Sequence, residues 1–411
     1  MTELKMALAN GRTIPKEDKI FGINNRATAM AERVGADKVV NATIGALLDD
    51  DGKLMVLSSV DHVYRNLEPA EYAAYAPIGG TPAFKAAAIE AALRNYVPKG
   101  YVRASATPGG TGAIRNTIAN YSNPGDSILT ADWFWSPYGT IAGEIGRTVE
   151  TFPFFTEDRK FHIKAFEAKV IDMLERQSHL VIILNTPAHN PTGYALTVED
   201  WEAIRECLES VNPAKKIVLL VDAAYIDFAG DEDEYRQFLP VLEKLPENVL
   251  PIIAYSMSKT YTLYGMRCGA MICMTPSEEI ADEFVRVCEY SSRGSWSNCA
   301  KAGQSIIAHI FADEKLREAV SHERGEIRDM LLRRGKAFEN AAAEVGLVTV
   351  PFDAGFFVSI PCDNPDAVAE KLEKEGIFIV PLAKGVRVSI ASITEDACKV
   401  LPARIKAALE D

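Results

Sequence analysis

Three apolar runs without polar alternation constrain this chain more than any other feature. They are His179-Leu180-Val181-Ile182-Ile183-Leu184, Ile217-Val218-Leu219-Leu220-Val221 and the stretch around Ile252-Ile253-Ala254. A strand with one wet face alternates apolar and polar residues, so runs of this kind belong to strands covered on both sides. A polar amphipathic stretch, Thr197 to Ser210, separates the first two. Strand–helix–strand succession between about residues 100 and 270 predicts an α/β fold with a mostly parallel central sheet flanked by helices and right-handed crossovers. Ligands in such sheets gather at the carboxyl ends of the strands. From about 311 to 345 the pattern is helical and charged, and short strands follow at 347–350, 355–360 and 386–390. The expected organisation is a large domain over 56–310 and a smaller, discontinuous α+β domain from 1–55 and 311–411.

Composition narrows the classes. With 411 residues, 48% of them hydrophobic and 25% charged, the chain can bury a large core and is neither disordered nor membrane-like. Forty-four Lys+Arg against 57 Asp+Glu leave a net charge of −13, which disfavours nucleic acid and anionic membranes as partners. The first ten residues lack a long apolar core and a cleavage signature, so no signal peptide is expected. The seven cysteines include no Cys-x-x-Cys, and the six histidines show no ligand spacing. Reduced thiols in a cytoplasmic protein are expected, with no metal.

The loops after the buried runs carry the chemistry. Thr107-Pro108-Gly109-Gly110-Thr111-Gly112 leads into a helical pattern, where glycines let an anion approach free backbone N–H groups. It matches neither the dinucleotide fingerprint nor a Walker loop. Asn185-Thr186-Pro187-Ala188-His189-Asn190-Pro191-Thr192-Gly193 follows the first run. Val221-Asp222-Ala223-Ala224-Tyr225 follows the second, and Ser256-Met257-Ser258-Lys259 the third, with Arg267 eight residues later. A lysine between a hydroxyl and an arginine suits pyridoxal phosphate: the amine bonds the aldehyde, while Ser256 and Arg267 hold the phosphate. Asp222 at a buried strand end needs a partner, and a pyridinium nitrogen is one. Asn190 and Tyr225 can both reach the cofactor's phenolic oxygen. Each motif also has an ordinary reading: a surface lysine, a glycine turn, an Asn-Pro turn, or a helix N-cap at Asp222.

In their order, Gly-Gly-Thr-Gly, Asn-Pro-Thr-Gly, Asp-x-x-Tyr and Ser-x-x-Lys with its arginine resemble the fold-type I pyridoxal phosphate aminotransferases of class I, in particular the aspartate and aromatic amino acid group. The resemblance runs from about residue 41 to 392. It implies further roles. Gly45, ahead of Asp51-Gly52-Lys53, resembles a glycine segment that closes over substrate. Tyr75, in Tyr75-Ala76-Pro77-Ile78-Gly79-Gly80, resembles a tyrosine that crosses a homodimer interface to the neighbour's phosphate. Trp135 resembles the aromatic that stacks on the cofactor ring, with Trp133 a rival, and Tyr138 stands where the family often has histidine. Gly110 and Thr111 would join the phosphate site.

Two arginines carry the substrate reading that the resemblance implies. Arg387, in Gly385-Val386-Arg387-Val388-Ser389, matches the arginine that grips the α-carboxylate by a two-point fork. Arg293 matches one that pairs with a distal carboxylate in the neighbouring subunit's site. Cys299-Ala300 stands where the family usually has Pro-Pro, which weakens that match. Phe357 is open between core and pocket. The activity implied is transfer of an amino group from an L-amino acid (aspartate, glutamate or aromatic) to a 2-oxo acid, with 2-oxoglutarate as acceptor, by ping-pong turnover through a Lys259 aldimine. Catalysis would rest on Lys259, Asp222 and Tyr225. Alternatives on the same scaffold are a β-lyase or racemase, or a non-catalytic regulatory protein.

Overall fold

The computed structural model describes residues 4–10, 12, 14–15 and 17–410. They form two compact units: one from residues up to 55 with 188–195 and 326 onward, the other from 56–187 and 196–325. Helix α1 (Lys19–Val34) belongs to the first and is capped by the Asp18 carboxylate, which accepts from the Ile20 and Phe21 N–H groups.

The larger unit is built on seven strands: β1 (Tyr101–Thr107), β2 (Ser127–Ala131), β3 (Thr148–Phe152), β4 (His179–Asn185), β5 (Lys216–Asp222), β6 (Val249–Ser256) and β7 (Gly269–Thr275). Their order is β1-β7-β6-β5-β4-β2-β3. All run parallel except β7, which is antiparallel to both neighbours. In β4 and β5 every residue after the first is buried, as continuous apolar runs require. Helices α2 (Pro82–Leu93), α3 (Gly109–Tyr121), α4 (Pro137–Glu144) and α5 (Val198–Glu209) alternate with the strands. Register sets what meets at the carboxyl edge. Asn185 stands opposite Asp222, and Asp222 opposite Ala254. Ser256 and Thr107 both stand opposite Gly269. Three chain segments therefore converge at one glycine.

The smaller unit holds a three-stranded antiparallel sheet of β8 (Phe357–Pro361), β9 (Val380–Leu382) and β10 (Gly385–Ser389), with β10 in the middle. A parallel two-residue pairing joins Val40–Asn41 to Ile377–Phe378. The core gathers Phe338, Val358, Ile360, Leu372, Val386, Val388, Leu401 and Ile405. Each fully buried side chain of this kind stabilises by about 1.5–3 kcal/mol.

The division falls after residue 325, not after 310, and 188–195 group with the smaller unit. The long helix Glu314–Glu344 explains the first shift. Its Glu323 accepts from Ser58 and Ser59, and its Arg324 pairs with Glu232, all within the larger unit. Further along, Arg334 donates to the Leu48 carbonyl and pairs with Asp50 in the smaller one. For 188–195, Ser359 donates to the Pro191 carbonyl, and the Asp353 and Ala354 N–H groups donate to that of Gly193.

Candidate active site

A cradle that could hold an anion lies where β1, β6 and β7 converge. Helix α3 begins at Gly109 with no side-chain cap, so its first-turn N–H groups keep their partial positive charge. Gly109 has φ +70°, and a Cβ there would stand 2.6 Å from Arg267 Nη2. A Cβ on Gly269 would lie 2.6 Å from the Gly109 carbonyl carbon. Glycine at both positions lets the Arg267 guanidinium lie directly over the helix start. Arg267, itself left-handed at φ 49°, donates to Ser258 Oγ at 3.2 Å and to the Tyr264 carbonyl at 3.0 Å. A Cβ on Gly110 would touch Ser256 Cβ at 3.5 Å, and Thr111 follows exposed in the same turn. The sequence-expected set Gly110, Thr111, Ser256 and Arg267 is therefore brought together.

Beside the cradle, Lys259 stands on a single helical turn, Met257–Thr260 (α6), directly after β6. It is half-buried, and its Nζ lies 5.7 Å from the centre of the Tyr225 ring and 5.8 Å from that of Tyr264. Burial and the Arg267 charge push its ammonium down to about 8, against the pull of Asp222. Asp222, at the end of β5, is buried and accepts from Tyr138 Oη at 2.5 Å. Burial raises its carboxyl, opposed by the Tyr138 hydrogen bond and the Lys259 charge. Burial and the nearby carboxylate push the Tyr138 phenol well up, so Tyr138 acts as a donor. Trp135 is half-buried and meets Tyr138 edge-on at 5.5 Å, while Trp133 is buried.

In the smaller unit, Arg387 sits buried on the central strand β10. Its Nη2 donates to the Thr43 carbonyl at 2.7 Å and its Nη1 to Asn190 Oδ1 at 3.2 Å. Arginine has donors alone, so the Asn190 atom facing it is the oxygen. Phe357 lies under the guanidinium, 4.3 Å from ring centre to Cζ. A Cβ on Gly45 would stand 2.7 Å from the tip of that ring. Gly45 and Phe357 therefore share one packing arrangement with Arg387.

Two further expected residues, Tyr75 and Arg293, are exposed. Tyr75 is 91% exposed. Arg293, in the last turn of helix α7 (Glu278–Ser295), is exposed and donates to Ser297 Oγ at 2.6 Å. The two segments are tied to each other, because Asn298 Nδ2 donates to the Ala76 carbonyl at 2.7 Å.

Residues 37–405 match the family model for aminotransferase class I and II. The chain belongs to that family. An aspartate aminotransferase of Salmonella typhi is 28% identical over 370 residues, covering 87% of this chain and 90% of that one. The crystal structure of an aminotransferase from Anaerococcus prevotii superposes with a TM-score of 0.96 at 37% identity, over 99% of this chain and all of that one. An aromatic-amino-acid aminotransferase from Burkholderia pseudomallei, described as covalently bound to pyridoxal phosphate, shares the fold at a TM-score of 0.79 and 23% identity, over 98% of this chain. The chain is an aminotransferase with an α/β architecture.

In this aminotransferase several neighbours of the site escape a reading by motif. Gly109 and Ser258 lie inside the quoted motifs, but only the fold shows that both adjoin Arg267. Tyr264 lies five residues beyond Lys259, and its ring position follows from the turn between them. The hydrogen bond from Tyr138 to Asp222 joins residues 84 apart in sequence.

Proposed function

We propose that this aminotransferase uses pyridoxal phosphate to move the amino group of an L-amino acid, dicarboxylic or aromatic, to a 2-oxo acid, with 2-oxoglutarate as acceptor, in two half-reactions of ping-pong type. The observation that carries the reading is a half-buried amine of depressed basicity, Lys259, beside a buried carboxyl and an uncapped, arginine-covered helix start. These residues fit one group with an aldehyde, an anionic end and a basic ring nitrogen. When bound, that group supplies an electron sink for the pair left at the substrate Cα.

Each side chain then has a task. Arg267, Ser256, Gly110 and Thr111 hold the phosphate, joined by Tyr75 from the second subunit of a homodimer. Asp222 holds the ring nitrogen in its protonated form, and its raised carboxyl is what a buried acid without a strong cationic partner shows. Tyr225 and Asn190 donate to the ring oxygen, Asn190 being steadied through its own oxygen by Arg387. Trp135 covers the ring face. Arg387 forks the α-carboxylate, the Gly45 segment closes over the substrate, and Arg293 reads a distal carboxylate. Lys259 Nζ, neutral in a good fraction near pH 8, takes the proton from the substrate Cα and holds it for return. Seven free cysteines suit a reducing cytoplasm.

Borohydride reduction of the protein with pyridoxal phosphate should leave a mass label on the peptide that carries Lys259. Lys259→Ala should lose that label and about a thousandfold or more in turnover. Equal labelling and turnover in the variant would remove the assignment.

A further inference from the structure

A second carboxylate, outside the groups assigned above, binds both sides of the lysine turn. Asp227 sits in the 3-10 turn Ile226–Phe228, two residues after Tyr225 and five after Asp222, and its side chain is fully buried. Its Oδ2 accepts from Tyr255 Oη at 2.7 Å and from Thr260 Oγ1 at 2.8 Å. Tyr255 precedes Lys259 by four residues, Thr260 follows it directly, and both are buried. Its Oδ1 accepts from Arg236 Nη2 at 2.7 Å. Arg236 in turn donates to the carbonyls of Ala91 and Ala92 near the end of α2. Arg324 stands 3.7 Å from Oδ2, pairs with Glu232 at 2.9 Å and covers the Tyr261 ring.

The physical need for such an anchor is clear. Helix α6 is one turn long, and a single turn is not stable on its own account. Its place therefore depends on what its residues and their neighbours bond, the Met257 N–H to the Cys268 carbonyl and the flanking side chains to Asp227. Burial works to raise the Asp227 carboxyl, but Arg236 and Arg324 outweigh it and keep it ionised. An ionised carboxylate takes hydroxyl donors more strongly than a neutral acceptor does. Because Asp227 belongs to the segment that also carries Asp222 and Tyr225, bonds from Tyr255 and Thr260 couple that segment to the lysine turn.

We propose that Asp227 is a positioning residue for Lys259: through Tyr255 and Thr260 its carboxylate sets where Nζ stands relative to Asp222 and Tyr225. This rests on the function proposed above, and it adds a residue that touches neither substrate nor cofactor.

The cleanest test removes one hydroxyl and keeps the volume. Thr260→Val leaves Asp227 its two arginines and Tyr255, so the fold should survive. In the holoenzyme kcat should fall about tenfold with KM for the amino donor within about twofold, because the loss is one of alignment. The midpoint of the pH titration of cofactor absorbance should move by about half a unit or more, since Nζ shifts against Arg267 and Asp222. Thr260→Ser should restore both. Tyr255→Phe removes the other hydroxyl and should move both readouts the same way, which keeps the idea testable if Thr260→Val misfolds. A variant of either kind with parental kcat and midpoint, whatever its melting temperature, would reduce Asp227 to a structural ion pair. A parent enzyme that neither takes up pyridoxal phosphate nor transaminates would instead overturn the functional reading itself.

Discussion

At Lys259 three influences compete. Burial and the Arg267 guanidinium disfavour the ammonium, Asp222 favours it, and the balance leaves the group at about 8 instead of its ordinary 10.5. The folded protein therefore binds fewer protons than the unfolded chain between about pH 8 and 10.5, so this lysine's cost is full below pH 8 and fades as pH rises through that window. Lys259→Met should accordingly raise the melting temperature of the cofactor-free protein at pH 7 and much less at pH 10. Equal gains at both pH values would contradict the depressed basicity. The same group, half neutral near pH 8, is suited to take up an aldehyde and a proton. Stability is given up at the residue that would do the chemistry, a common trade at active sites.

Among the elements, the start of α3 is the most exacting. Its glycine at φ +70° serves two demands at once: a backbone conformation that L side chains rarely adopt, and room for the Arg267 guanidinium. Gly109→Ala should therefore raise the dissociation constant for pyridoxal phosphate by about tenfold or more, as the Cβ displaces the guanidinium proposed to hold the phosphate. Gly265→Ala, in the 3-10 turn Tyr264–Met266 just before Arg267, meets nothing within 4 Å and should bind like the parent. Fluorescence titration of the apoprotein compares the two, and equal weakening would show that the cradle does not depend on the helix start. Strand β10 works differently. It places Arg387 by register, opposite Ser359 and Val380, and then locks its fork with Thr43, Asn190 and the Phe357 ring.

At the scale of the whole molecule, the exposed Tyr75 and Arg293 bear on how many copies make up the working enzyme. Both point out of their own unit's core, and Asn298 ties their segments together. If they act on a second copy, the protein should sediment at twice its 45.0 kDa. A subunit-mixing experiment tests the contribution in trans. Arg293→Ala should lose about tenfold or more on aspartate and glutamate while keeping aromatic donors, because one ion pair to a distal carboxylate is missing. Lys259→Ala should lose all donors. Refolded together, the two should regain aspartate activity, since a mixed dimer holds one site with both groups intact. No recovery, with each homodimer reformed normally, would place Arg293 in its own subunit's site or in none.

The buried strands, the loops that end them and the residue types at Asp222, Tyr225, Lys259, Arg267 and Arg387 are legible in the chain because each depends on local pattern: unbroken apolar runs, strand-end punctuation and motif order. The division between units is not, because Glu323, Arg324 and Arg334 lie on one continuous helix and choose their unit only through distant partners. Nor are the contacts of Tyr138 with Asp222, Phe357 with Arg387, or Asp227 with both sides of the lysine turn. Those pairs are separated by tens of residues, and folding alone brings them within hydrogen-bond or ring-contact distance. Sequence by itself determined which chemical groups this aminotransferase carries. Tertiary structure decided their basicity and alignment, because burial and the placement of opposite charges arise only once the strands have been laid side by side.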